Sequence, residues 1–152
     1  ADKTTHAGIE AGLVLNFADW LSLRQVYQYS DFKFDGDAQY GDNALPVIPE
    51  HVYRAELRLS KDRFTIAPNV EWVVDGPWSD YNNTTRTDGY ALLGATASWK
   101  VTGKIDLFLD ARNLADESAA GVVRGVITAS PASAIYYPVE RRAVFGGIRA
   151  RF

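Results

Sequence analysis

Acidic pairs, one imidazole beside a carboxylate, and a few loop aromatics are the groups in this sequence with chemistry to offer. Asp106 and Asp110 stand four apart and would share one face of a strand, with Arg112 next on that face. Two carboxylates can divide acid and base roles, but an adjacent guanidinium turns the pair into a ladder of ion pairs. His51 follows Glu50, and such a pair can bind a metal, yet it falls short of the three or four ligands a site needs. The run Asp35 to Asn43 (DGDAQYGDN) spaces carboxylates as a Ca2+ loop does. It lacks the bidentate Glu that closes such a loop, and Gly, Asp and Asn at this density are the residues of tight turns. Cys is absent and the second imidazole, His6, is far from His51 in sequence. No catalytic constellation, resident cofactor site or metal site emerges. What remains is recognition: Tyr40, Tyr81, Arg86, Tyr136 and Tyr137 lie in long connections, where aromatic and cationic side chains can contact a ligand.

The chain has 152 residues, 47% hydrophobic, with a net charge of -3. These values suit a globular domain, and the acidic balance speaks against a nucleic-acid partner. No run of eighteen apolar residues exists to form a membrane-spanning helix; that leaves barrels open, since they cross with alternating strands. The sequence begins at Ala and contains no Met, which suggests a processed chain or a part of a longer one.

Seven segments alternate with period two, and none follows the helical period. They run over residues 6–17, 21–34, 51–60, 64–75, 90–101, 105–114 and 141–152. On the third, Tyr53, Ala55, Leu57 and Leu59 oppose Arg54, Glu56 and Arg58. On the last, Val144, Gly146, Ile148, Ala150 and Phe152 oppose Phe145, Gly147, Arg149 and Arg151, so the apolar face runs to the final residue.

The connections alternate between short ones (18–20, 61–63, 102–104) and long ones (35–50, 79–89, 115–140). Short turns on one side and long loops on the other is the pattern of a transmembrane barrel, with the short turns periplasmic. Phe17, Phe64, Trp99 and Phe152 then fall near the periplasmic side, with Trp20 in a turn, while Tyr27, Tyr29, Tyr53 and Trp72 fall toward the other. Two aromatic levels with aliphatics between them match interfacial girdles. Glu10, Arg54, Glu56, Arg58, Glu71, Asp106, Asp110, Arg112, Arg149 and Arg151 would point inward. Charges at that density do not sit in a dry core. They fit a wide lumen, and roughly 22 strands enclose a plugged one.

Several words in the chain resemble TonB-dependent outer-membrane receptors. Thr5-His6-Ala7-Gly8-Ile9-Glu10 resembles a strand opening of that family, and Asn43 through His51 (NALPVIPEH) its loop exit. Asn83-Thr84 followed by Tyr90-Ala91-Leu92-Leu93-Gly94, then Asn113-Leu114-Ala115-Asp116, then Tyr136-Tyr137-Pro138 and Arg142 through Phe152, follow in the family's order. The sequence departs from the pattern at Ala115, where Phe is usual, at Ser118, where an aromatic is common, and at Glu140-Arg141, where Pro-Gly is usual. Asn82 and Asn83 each head an Asn-x-Ser/Thr triplet, a pattern without consequence in a bacterial surface loop.

The resemblance implies an all-β transmembrane antiparallel barrel of the bacterial outer membrane, of which residues 1–152 supply about seven C-terminal strands of roughly 22. It implies an N-terminal plug domain and upstream strands outside this chain, coupling to the TonB complex, a lipid bilayer around the barrel, and a ligand such as a ferric siderophore or another metal complex. It implies no enzymatic activity. It also gives Phe152 a role, as the C-terminal aromatic that the barrel-assembly machinery reads. Two other readings stay open at this stage. One is a small stand-alone outer-membrane barrel with a structural or adhesive role, for which residues 121–128 (GVVRGVIT) would have to supply an eighth strand. The other is a soluble β-sandwich that buries the apolar face.

Overall fold

The computed structural model describes residues 3–130, 132, 133 and 135–152. Its strands are β1 (Thr4–Ala18), β2 (Leu21–Phe34), β3 (His51–Lys61), β4 (Phe64–Val73), β5 (Tyr90–Lys100), β6 (Ile105–Arg112), β7 (Ala120–Val123), β8 (Tyr136–Pro138) and β9 (Ala143–Ala150). Seven of them form one antiparallel sheet in the order β1-β2-β3-β4-β5-β6-β9. All seven expected segments are present, each paired with its neighbour in sequence. Residues 121–128 supply no eighth strand to that sheet: β7 pairs only with β8, in a small hairpin inside the last long loop. The poor alternation there is the physical reason, since neither side chain parity gives a face to lay on the sheet.

The register makes the two faces continuous. One apolar row runs Leu59–Ile66–Ala97–Leu109–Gly146 across five strands, and the next runs Phe64–Trp99–Leu107–Ile148. Ile9, Phe64, Val144 and Ile148 on this face are more than half exposed. A sandwich would cover such residues with a second layer; among the described residues none lies over them. Each large apolar side chain left in water forfeits roughly 1.5–3 kcal/mol, so the face belongs against lipid or a partner.

The opposite face carries the charges. Arg24 stands opposite Glu56, Arg54 opposite Glu71, and Asp106 opposite Arg149. Arg54 donates from Nε to Glu71 Oε2 at 2.7 Å. Arg112 donates twice to Asp110, at 2.9 and 2.7 Å, and lies 5.0 Å above the Phe145 ring. Arg151 reaches Asp106 at 3.2 Å. Asp106 and Asp110 thus each serve an arginine, as the ladder reading expects.

Two irregularities escape simple alternation. The pairing of β1 with β2 shifts between Asn16 and Ala18, leaving Phe17 as a bulge beside the first short turn. In β4, Pro68 interrupts the ladder to β3 between Asn69 and Ile66 while the register is kept. Pro has no N–H to give, and the ladder resumes on either side.

Where β4 and β5 diverge, Gly89 approaches backbone so closely that a Cβ there would run into the Val74 carbonyl oxygen and meet that of Val73 at 2.7 Å. Both obstacles are main chain, so the strand ends would have to part. Gly89→Ala is expected to destabilise the barrel by about 2 kcal/mol, read as a lower temperature for its heat-modified gel shift. Gly103→Ala, in a turn with open space around it, is the control and should melt like the parent.

Candidate functional site

The three long connections do not splay; they interlock at one end of the sheet. Asp80 is their hub. It is fully buried and its carboxylate accepts from Thr84 N at 2.8 Å, Thr85 N at 3.1 Å, the Thr84 hydroxyl, and Ala129 N at 3.3 Å. The first three close a turn within the connection 74–89. The fourth reaches into the last long loop, where Asp80 also forms a parallel bridge with Val126. Burial pushes the Asp80 carboxyl up, but the Thr84 hydroxyl and the amides of Thr85, Ala129 and Thr84 outweigh it and hold the group below the usual carboxylate range.

Asn83 makes the second tie. Its Oδ1 accepts from Ala44 N at 2.8 Å and its Nδ2 donates to Ala44 O at 2.9 Å, a closed pair that pins the connection 35–50. Asn43 returns the gesture, donating to Tyr81 O at 2.9 Å. Asn83 holds φ at 53°, the left-handed region that Asn tolerates better than most residues.

The base of the last loop is closed by Asn113. Its buried amide donates to Glu117 O and Glu140 O and accepts from Glu117 N, at 2.8–2.9 Å. Beside it Asp116 takes a two-pronged bond from Arg141, at 2.9 and 2.6 Å, and a third from Arg142 N. These contacts hold the Asp116 carboxyl well below its ordinary range, the Arg141 guanidinium first among the causes. Arg141, a departure from the family's Pro-Gly, is therefore the partner that fastens this loop.

The residues singled out for ligand contact fall into three groups. Tyr40 and Tyr81 come together, ring centroids 5.5 Å apart, over the buried Phe34. Arg86 is held at the loop base: it donates to Gly76 O at 2.8 Å, lies over Trp78, and approaches Glu50 and Asp75. Tyr136 and Tyr137 sit apart from both on β8, each more than half exposed.

Other sequence candidates are occupied by structure. His51 accepts or donates at 2.8 Å to the Tyr27 hydroxyl and stacks on Tyr29, on the apolar face. In the acidic run, Asp37 caps Gln39 N and Tyr40 N while Asp42 caps Gly36 N. Among the described residues, no group of three or more His, Cys, Asp or Glu is placed to hold a metal. Asn82 bonds Thr128.

Beneath the tied loops, the charged face forms an open groove of about 490 Å³ lined by Arg24, Arg54, Glu56, Glu71, Arg112 and Glu140. The residues that sequence reasoning missed are Asp80 and Asn113. Asp80 carried no local signal, because its carboxylate bonds amides four, five and 49 residues on; Asn113 was visible only as part of a family word.

The comparisons come to the same architecture. No curated protein sequence matches the chain. Among solved structures, the ferric yersiniabactin uptake receptor FyuA from Yersinia pestis superposes with a TM-score of 0.83 at 21% identity, over 98% of this chain and 24% of that one. The siderophore receptor PiuA from Acinetobacter baumannii gives 0.77 at 21%, over 96% and 22%. The copper transporter OprC gives 0.79 at 17%, over 98% and 24%. The chain thus spans about a quarter of the length of these proteins, and at such identities the likeness establishes the fold. The family model described as "TonB dependent receptor-like, beta-barrel" matches residues 1–114. A seven-stranded antiparallel sheet with one exposed apolar side and one charged side, together with that family match, makes this chain a member of the TonB-dependent receptor β-barrel family of the bacterial outer membrane.

Proposed function

We propose that the chain is the C-terminal portion of a receptor barrel that binds a scarce metal complex, most simply a ferric siderophore, at its outer surface and passes it inward by TonB-coupled transport. The observation that carries this reading is the interlocked loop cap at the end of a sheet whose charged face holds an open groove. A purely structural barrel has no need to tie three long loops over its lumen. The names of the similar proteins support a metal complex as cargo: ferric yersiniabactin in one, a siderophore in another and copper in the third.

The rest of the barrel and a plug are part of the proposal, on a topological ground. Among the described residues β1 and β9 each have one neighbour, and an open edge in lipid leaves backbone groups unsatisfied. Counting through the antiparallel order, both strands run from the loop side to the turn side. Pairing them directly would be parallel, so antiparallel closure needs an odd number of further strands, as a barrel of roughly 22 provides. Those strands and the plug come from other parts of the receptor, and the plug is what engages TonB.

The test uses the whole receptor. Ferric siderophores and copper are titrated against it while its tryptophan fluorescence is followed, and a strain lacking it is grown under iron or copper limitation. Saturable quenching by one class of complex, with a matching growth defect, is expected. Absence of binding by any metal complex together with unimpaired growth would overturn the reading in favour of a structural or adhesive barrel.

A further inference from the structure

The lipid-facing side of the sheet is not evenly filled. Near the short turns it holds a hollow of about 690 Å³, lined by Leu59, Phe64, Ile66, Trp99 and Leu109, with Lys61 at its rim. The register explains it. Along the row Leu59–Ile66–Ala97–Leu109–Gly146, one small residue stands between large ones, and Ala97 leaves a gap between Ile66 and Leu109. One wall is a stacked pair, Phe64 and Trp99, with centroids 5.3 Å apart and planes at 11°. Trp20, from the first turn, lines the same hollow. All of these residues lie on β3–β6 or in that turn, inside the sheet, so the hollow is complete within this chain.

The rim is cationic. Lys61 shares the parity of Leu57 and Leu59 and lines the hollow itself. Arg63 donates to Val101 O at 3.1 Å, which joins its turn to the next, where Lys104 stands. None of these three side chains forms an ion pair within 4.0 Å among the described residues, whereas Arg54, Arg112, Arg141 and Arg151 all do. Within the two turns only Asp62 opposes them. Unpaired cations beside an apolar slot at the membrane interface match the chemistry of an anionic amphiphile.

We propose that this hollow is a binding site for an anionic phospholipid of the periplasmic leaflet, one acyl chain lying over Ala97 between Ile66 and Leu109 and the phosphate on Lys61, with Arg63 and Lys104 adding to the field. A zwitterionic lipid would fill the apolar slot and leave the excess positive charge uncompensated, so the site discriminates by headgroup. This inference concerns the barrel wall and holds whatever the transported ligand is.

The test is native mass spectrometry of the full receptor in detergent, titrated with phosphatidylglycerol or with phosphatidylcholine of the same chains. Phosphatidylglycerol is expected to be retained in preference. Lys61→Gln should reduce its retention about fivefold, the loss of one interfacial cation, and leave phosphatidylcholine unchanged. Ala97→Phe, which fills the slot without touching charge, should reduce retention of phosphatidylglycerol as well. Heat-modified gel mobility confirms that each variant is folded. Equal retention of the two lipids by the parent, or a phosphatidylglycerol preference that survives both substitutions, would overturn the proposal. Because the readout is lipid retention, its failure is separate from any failure to bind a metal complex.

Discussion

Asp80→Ala is expected to open the loop cap. The substitution removes the acceptor from four donors at once: the amides of Thr84, Thr85 and Ala129 and the Thr84 hydroxyl. Donors left unpaired in a buried place forfeit about 1–3 kcal/mol each, though some will find water. An opening free energy lowered by about 3 kcal/mol corresponds to roughly a hundredfold faster amide exchange in residues 79–86 and 126–129. The strands beneath should exchange as before. Asp80→Asn keeps one acceptor oxygen and turns an NH2 toward amide donors, so it should fall between. Unchanged exchange in Asp80→Ala would mean that the cap is held by Asn83 and the aromatic cluster alone.

The same carboxylate predicts a pH dependence, and its sign follows from the direction of its shift. The Asp80 group titrates lower in the folded cap than in an open chain. Its contribution is therefore fully present above the open-chain value near ~3.9 and is lost as pH falls through the folded value. The cap should stay closed from neutral pH down to about 4 and loosen below that. Exchange corrected for its intrinsic pH dependence reads this directly, and in Asp80→Asn the acid limb should be missing. Asp116, held low by Arg141 and Arg142, acts in the same direction at the base of the last loop, so its variants separate the two contributions.

Legibility in the sequence divides at the ends of the strands. Within them, period-two alternation is a local property, and each segment betrays its two faces unaided: Tyr53, Ala55, Leu57 and Leu59 against Arg54, Glu56 and Arg58 become opposite faces of β3. Short turns then force neighbours in sequence to pair, and order and register follow. The loops obey contacts that no local window contains. Asp80 meets Ala129 across 49 positions, and Asn83 meets Ala44 across 39. Asn83 reads only as the head of an Asn-x-Thr triplet and turns out to tie two loops. The family words mark several of these ties without explaining them: Asn43, Asn83 and Asn113 each spend a side-chain amide on backbone of a neighbouring segment. Of the residues expected to touch a ligand, Tyr40 and Tyr81 converge and Arg86 is tethered below, because stacking on Phe34 and pairing around Gly76 are properties of the folded loops.

Removing Phe152 should lower the amount of receptor in the outer membrane severalfold without changing the stability of what arrives. The ring is fully exposed at the last position of the apolar face, in parity with Ile148 and Ala150 on β9. Arg151 N still bonds Lys104 O, so the strand stays in register up to the penultimate residue and carries the ring past the row Phe64–Trp99–Leu107–Ile148, toward the end of the sheet where the short turns lie. Burying one such ring contributes about 1.5–3 kcal/mol, which is small beside the packing of a whole barrel. A stability effect of that size would shift the thermal transition slightly and leave most of the protein folded. An assembly effect would instead cut the yield and spare the transition, because the ring matters before the barrel closes, when β9 has only β6 beside it. Phe152→Tyr keeps an interfacial aromatic and should retain the yield, while Phe152→Ala should behave as the deletion does. Quantitative membrane fractionation, paired with heat-modified mobility of the surviving protein, separates the two effects. Normal yield of the deletion, or a yield that falls in proportion to a lowered transition, would remove Phe152 from any role in assembly and leave it as one more lipid-facing aromatic.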